Sequence, residues 1–427
     1  MKISEKAQAC GLSPMRKFHP FAVEAESKGK TIYHLNIGQP DIETPPNYYY
    51  AIHNFDNPVL AYAASPGMPV LINAVQHYYD KLGIHYDADE ILITTGGSEA
   101  LQMLMLSILD PGDEVIIPEP FYPNYNTFVK SAGGVIHPIP TTPEGGYRYA
   151  FKKKLEEALT EKTRAIMFTN PGNPTGVVLT PKELRTIADF AKEHDLYVIG
   201  DEVYREFIYG AEDLATIGQF EDIRENAVII DSVSKRFSAC GARIGAIITH
   251  NKELRQNLLK FCQARLSVAT LDQIASAALY NVGPEYFDAV RKEYKLRRDT
   301  CYKKLLEIPG VVVKEPQGAF YMMAALPVDN ADTFQQWLLT DFDDNGDTVM
   351  FAPGEGFYAT PGKGKNEIRI AYVLKQDKLE RAMDLLALGI KKYNETHKYL
   401  AADPVLMIRK HGIGACELSE PLSVAEK

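Results

Sequence analysis

Between about residue 90 and residue 250, short β-rich runs alternate with amphipathic stretches, and this alternation constrains the fold more than any other feature of the sequence. The runs are Glu90–Thr94, Glu114–Ile117, Val135–Ile139, Arg164–Thr169, Leu196–Gly200, Ala227–Asp231 and Ile244–Thr249. Apolar residues recur between them at helical spacing: Leu101, Leu104, Met105 and Ile108 after Ser98, then Leu184, Ile187, Phe190 and Ala191 after Pro181, and Leu254 and Leu258 within Asn251–Lys260. This pattern predicts βα units building a mostly parallel sheet covered by helices, with a ligand crevice at the carboxyl ends of the strands.

The pattern then changes. A long helical stretch, Gly283–Leu306, leads into Val311–Val313, Gly318–Met323, Glu367–Tyr372 and a last helix at Gln376–Tyr393, which predicts a second, α+β domain. The first 46 residues carry no core of their own and are assigned to it. The expected fold is therefore α/β: a large three-layer αβα domain over residues 47–295, and a smaller discontinuous α+β domain made of residues 1–46 and 296–427. Residues 400–427 read as a tail or interface arm.

Charge and cysteines exclude several functions. Lys and Arg number 46 against 56 Asp and Glu, a net −10 that argues against a nucleic-acid backbone as partner. No apolar run of about 18 residues suggests a membrane span, and MKISEKAQACGLSP lacks the apolar stretch of a secretory signal. The five cysteines, Cys10, Cys240, Cys262, Cys301 and Cys416, are scattered without C-x-x-C spacing, so neither a disulfide framework nor a metal site is expected. A cytoplasmic protein with reduced thiols is the reading.

Four segments that follow β-rich runs carry the chemistry. In Asp231-Ser-Val-Ser-Lys235-Arg-Phe-Ser-Ala-Cys-Gly-Ala-Arg243, a lysine at a strand end can face the crevice, and partial desolvation or neighbouring positive charge favours its neutral, nucleophilic form. In Thr94-Thr-Gly-Gly97-Ser98-Glu99-Ala, two glycines open a helix whose free N–H groups and dipole attract an anion; the Glu99 carboxylate must turn away from such a ligand. In Asn170-Pro-Gly-Asn173-Pro-Thr-Gly176, prolines and glycines present the Asn173 amide rigidly. In Val198-Ile-Gly-Asp201-Glu-Val-Tyr204, a buried strand ends on an acid that can pair with a ring nitrogen. Taken singly, each has a plainer reading: a solvated lysine, an N-cap before a turn, a Pro-Gly turn, or a capping Asp beside a core tyrosine.

Together, in this order and spacing, the four segments resemble the class I/II aminotransferases of pyridoxal-phosphate fold type I, over about Leu35 to Tyr372. The resemblance implies an aminotransferase with pyridoxal 5′-phosphate as cofactor. It implies that Lys235 holds the cofactor as a Schiff base and shuttles the proton. Gly97, Ser98, Ser232 and Arg243 would hold the phosphate, Asn173 and Tyr204 contact the ring oxygen, Asp201 pair with the ring nitrogen, and Tyr122 stack on the ring, with Glu99 and Ser234 also among the residues at the cofactor. Tyr62, in Ala61-Tyr-Ala-Ala-Ser-Pro-Gly67, resembles the tyrosine that crosses to the neighbouring subunit's phosphate, which implies a homodimer. Arg369, in Glu367-Ile-Arg-Ile-Ala, resembles the arginine that grips the substrate carboxylate, with Gly38 and Asn173 on the substrate side.

Some members of this family read a second carboxylate with a further cation, for which Arg16, Lys17 and Arg265 are the candidates by location. Ala242, where a bulkier residue often precedes the arginine, Tyr122, in place of a tryptophan, and Gly354-Glu-Gly-Phe depart from the common pattern at positions that bear on substrate shape. The expected reaction moves an amino group from an amino acid, aspartate first and then alanine or an aromatic one, to a 2-oxo acid such as 2-oxoglutarate. The alternative is a C–S lyase working by β-elimination on the same fold. A regulator using the fold as a sensor would need a DNA-binding domain ahead of it, and only about forty residues precede the fold, without a basic helix-turn-helix pattern.

Overall fold

The computed structural model describes residues 1–210 and 214–397; the tail expected over 400–427 lies outside the described residues. Its strands, in chain order, are β1 (Thr31–His34), β2 (Ile91–Thr94), β3 (Glu114–Glu119), β4 (Val135–Pro140), β5 (Thr163–Thr169), β6 (Tyr197–Asp201), β7 (Ala227–Ser232), β8 (Gly245–Ile248), β9 (Val312–Val313), β10 (Tyr321–Ala325), β11 (Asp347–Met350), β12 (Ala352–Pro353) and β13 (Glu367–Ala371).

A seven-stranded sheet in the order β2-β8-β7-β6-β5-β3-β4 forms the centre. All its strands run parallel except β8, which is antiparallel to both β2 and β7. The Val233–Ile244 connection between β7 and β8 holds only a one-turn helix and a 3-10 turn. It is too short to carry the chain back across the sheet, so β8 starts at the rim where β7 ends.

Alternating side chains bury both faces. Ile91, Ile93, Ile116, Ile166, Val198, Ile229 and Ile248 belong to one apolar cluster, while Leu92, Val115, Ile117, Met167, Ile199, Ile230 and Ile247 belong to another on the opposite face. Each cluster is completed by helices. The helix Pro181–Glu193 shows why: Thr180 and Glu183 form a capping box ahead of it, proline fills its first position, and Leu184, Ile187, Ala188, Phe190 and Ala191 make one buried face. The result is the expected α/β architecture of three layers.

A second, antiparallel sheet, β12-β13-β10-β9, packs with the helices Pro284–Leu306, Ala331–Thr340 and Gln376–His397 around its own apolar cluster. The amino-terminal segment joins this cluster through Leu35, and β1 pairs in parallel with β11. Because β2, β3, β5, β6 and β7 are parallel, their last residues, Thr94, Glu119, Thr169, Asp201 and Ser232, lie along one rim, and Gly245 of β8 pairs with both Thr94 and Ser232 there. The segments with chemical promise all leave from that rim.

Candidate active site

A cavity of about 810 Å³ opens at this rim, lined by Gly97, Ser98, Tyr122, Asn173, Asp201, Tyr204, Ser232, Ser234, Lys235, Arg243, Gly38 and Arg369. Glu99 and Tyr62, named with them from the sequence, are not part of its wall. Glu99 is turned away: its Oε2 accepts from the Thr95 N–H at 2.6 Å and from Arg265 Nη1 at 2.7 Å. The Glu99 carboxylate thus keeps clear of the cradle, as an anion beside a phosphate site must. Tyr62 stands on the outer surface, 81% exposed.

The anion cradle is built by glycines. The helix Gly96–Ile108 starts at the end of β2 without a side-chain cap, leaving its first N–H groups free. Gly96 adopts a φ of +73°, and a Cβ there would collide with the Arg243 guanidinium. Arg243 itself donates to the Cys240 carbonyl at 3.1 Å and has no carboxylate partner among the described residues, so the helix start and an available cation meet at one point.

Lys235 lies at the end of β7 in the one-turn helix Val233–Arg236, and its Nζ donates to the Gly38 carbonyl at 2.8 Å. The Ser232 hydroxyl caps this turn by accepting from the Ser234 N–H at 3.1 Å. Asp201, at the end of β6, accepts from the Tyr125 hydroxyl at 2.5 Å. Burial raises its pKa to about 6 against the pull of that hydrogen bond.

The substrate side joins the two sheets. Arg369, on β13, is 3% exposed. Its Nη1 donates to Asn173 Oδ1 at 3.1 Å and its Nη2 to the Asn36 carbonyl at 2.7 Å, while its Nε has no partner. Asn173 Nδ2 donates to the Tyr204 hydroxyl at 3.3 Å, and Tyr204 meets the Tyr321 hydroxyl at 3.0 Å. The Arg369 guanidinium lies 4.5 Å from the centre of the Tyr321 ring. Burial lowers the pKa of Arg369, and no carboxylate pairs with it among the described residues. A buried cation satisfied by carbonyl oxygens alone calls for an anionic ligand.

The donor set fits pyridoxal phosphate: a glycine cradle with a cation for phosphate, an amine for the aldehyde, a buried carboxyl for the ring nitrogen, and an amide and a phenol for the ring oxygen. Sequence reasoning missed Tyr125, Tyr321, Asn36 and the wall contributed by Ser13, Met15 and His19, whereas Arg16, a candidate cation by location, does line the cavity. Tyr125 directly follows Pro120-Phe-Tyr-Pro-Asn124, three residues after Tyr122. The others arrive by long-range packing that leaves no local pattern.

The profile of the family described as aminotransferase class I and II matches residues 30–386. An aspartate aminotransferase of Bacillus subtilis (strain 168) is 32% identical over 410 residues, covering 93% of this chain and all of that one. Among solved structures, the aspartate aminotransferase of Thermus thermophilus with maleate superposes with a TM-score of 0.83 at 27% identity, covering 91% of this chain and all of the other. The alanine aminotransferase of Pyrococcus furiosus gives 0.84 at 30% identity, covering 92% and 100%.

Proposed function

This chain belongs to the class I and II aminotransferases, and from that premise we propose that it passes the amino group of aspartate to 2-oxoglutarate, with alanine and aromatic amino acids as the next donors. It is a pyridoxal 5′-phosphate-dependent transferase. The observation that carries the substrate reading is Arg369, a buried guanidinium without a carboxylate partner among the described residues, at the wall of a cavity that also holds Lys235 and Asp201.

Bound there, the cofactor supplies a reactive carbonyl and an electron sink. The rest falls to the chain. Lys235 Nζ is the amine that would take the aldehyde and, once released, the base that moves the proton at the substrate Cα. Asp201 would hold the ring nitrogen protonated, Asn173 and Tyr204 would donate to the ring oxygen, and Tyr122 would lie on the ring face. Gly97, Ser98, Ser232, Ser234 and Arg243 would hold the phosphate. Arg369 would fix the substrate carboxylate by two parallel hydrogen bonds, beside Gly38 and Asn173.

The preference for aspartate draws support from Arg16. Of the three cations considered for a second carboxylate, Lys17 pairs with Asp332 at 3.0 Å and Arg265 with Glu99 at 2.7 Å. Arg16 lines the cavity and pairs with no carboxylate among the described residues. We read residues 47–295 as the cofactor-binding unit and 1–46 with 296–427 as the unit that brings Arg369. The exposed Tyr50, Val59, Leu60 and Tyr62 support a homodimer in which Tyr62 reaches the other subunit's phosphate. No helix among the described residues is long and apolar enough to cross a membrane, and Cys10, Cys240, Cys262 and Cys301 are unpaired, which agrees with a cytoplasmic location.

An amino-acid panel with 2-oxoglutarate tests the reading. Glutamate formed fastest from aspartate is the expected result. Release of pyruvate and ammonia without an acceptor would point to β-elimination instead, and fastest turnover with another donor would move the substrate assignment.

A further inference from the structure

Lys235 is the third residue of a helix with a single turn, Val233–Arg236. So short a helix does not hold itself together, and whatever directs Lys235 must come from outside it. Successive helical residues point about 100° apart. Lys235 accordingly enters the cavity wall, while Arg236 leaves in another direction and is buried outside it.

Arg236 is held from several sides. Its Nη2 donates to both carboxylate oxygens of Asp231 at 2.8 Å. Its guanidinium lies 4.0 Å from the centre of the Tyr78 ring, and its Nη1 reaches the Tyr280 hydroxyl at 3.4 Å. Asp231 is fixed in turn by the Tyr79 hydroxyl at 3.0 Å and the Ser232 N–H at 2.7 Å. Burial opposes the charge on Arg236, and Asp231 together with Tyr78, Tyr280 and Tyr79 more than offsets it, so the pKa stays above the ordinary value. Asp231, Arg236, Tyr78 and Tyr280 do not line the cavity, so they have no direct part in the chemistry.

We propose that Arg236 is a positioning residue: clamped on Asp231, it sets the direction in which the Lys235 amine enters the cavity. The inference rests on the reading of Lys235 as the amine that takes the cofactor. The ion pair ties the last residue of the turn back to the strand that launches it, so the residue between them has one azimuth. Without the clamp, the turn can rotate and the amine moves off the aldehyde.

A purely stabilising ion pair and a positioning one differ in a measurable way. Pyridoxal phosphate binds through the phosphate and ring contacts and also joins Lys235, whereas pyridoxamine phosphate, already an amine, has only the former. Equilibrium dialysis of both cofactors against wild type, Lys235→Ala, Arg236→Met, Arg236→Lys and the Asp231→Asn/Arg236→Met double variant gives the ratio of affinities. Arg236→Met should weaken pyridoxal phosphate by about tenfold, or about 1.4 kcal/mol, and leave pyridoxamine phosphate close to wild type. Arg236→Lys, which keeps the charge, should recover part of the ratio.

The double variant leaves no buried charge unpaired, so it decides the matter if the single variant does not fold. It should bind pyridoxamine phosphate normally and pyridoxal phosphate weakly. Equal loss of both cofactors, or wild-type binding of both, overturns the positioning role. A Lys235→Ala protein that keeps the wild-type ratio would instead overturn the reading of Lys235 itself, leaving the two failures distinct.

Discussion

Arg369 carries a charge into the interior with only carbonyl oxygens to receive its hydrogen bonds. In the ligand-free protein that arrangement costs stability, because a buried cation with neutral partners recovers only part of its lost hydration. Arg369→Met should therefore raise the midpoint of thermal unfolding in the absence of ligand and lower kcat/KM by at least about 30-fold, since loss of one partner from a buried charged contact costs about 2–5 kcal/mol. Calorimetry and steady-state kinetics check both halves; a lowered midpoint would mean that the guanidinium is a structural element. Asp201 is a second case. A pKa of about 6 in place of 3.8 favours its neutral form in the fold. Its contribution is therefore fully present below about pH 4 and is lost as pH rises through about 6, by about 3 kcal/mol. Ligand-free Asp201→Asn should be more stable than wild type at pH 8 and gain nothing at pH 4 in denaturant titrations. The residues that local pattern brought forward, such as Lys235, Asp201 and Asn173, sit within a few positions of a strand end, where glycine, proline or a lone polar group breaks an apolar run. Tyr321 and Arg16 carry no such mark, because Tyr321 opens β10 of the second sheet within an apolar run and Arg16 lies in a short turn far from the sheet in sequence.

The start of the helix Gly96–Ile108 shows how one element makes a binding feature from backbone alone. Gly96→Ala would add a Cβ at positive φ, against the Arg243 guanidinium. Loss of the close approach should weaken pyridoxal phosphate by about tenfold, the scale of one charge-assisted contact, and leave pyridoxal, which lacks the phosphate, almost unchanged. Fluorescence titration with the two compounds separates them, and equal weakening would place the defect elsewhere. The strands themselves were legible to within a few residues, as Ala227–Asp231 against Ala227–Ser232 and Ile244–Thr249 against Gly245–Ile248 illustrate, because both faces are buried and the apolar runs end sharply. What the sequence hid was pairing. Neither the antiparallel direction of β8 nor the parallel pairing of β1 with β11 follows from a local period: the first is set by the shortness of the Val233–Ile244 connection, and the second joins segments far apart in the chain that packing brings together.

At the scale of the whole molecule, the proposed exchange of Tyr62 between subunits can be tested by complementation. Lys235→Ala and Tyr62→Ala proteins, each impaired alone, should regain activity when unfolded together and refolded as a mixture, to at most about one quarter of wild type, because a twofold dimer offers one intact site in each mixed pair. No recovery above the separate proteins would show that Tyr62 serves its own chain or none. The three-layer class was legible from the alternation of runs, yet the wall that Ser13, Met15 and His19 add to the cavity was not, for these residues lie far from the sheet in sequence and carry no local pattern. One further consequence follows from the parallel strands. Since the cavity belongs to the rim where they end, the turns that feed them, such as exposed Glu161 and Lys162 ahead of β5, face away from it. A fluorophore or a surface tether grafted onto Glu161 or Lys162 would thus leave the route of substrates open.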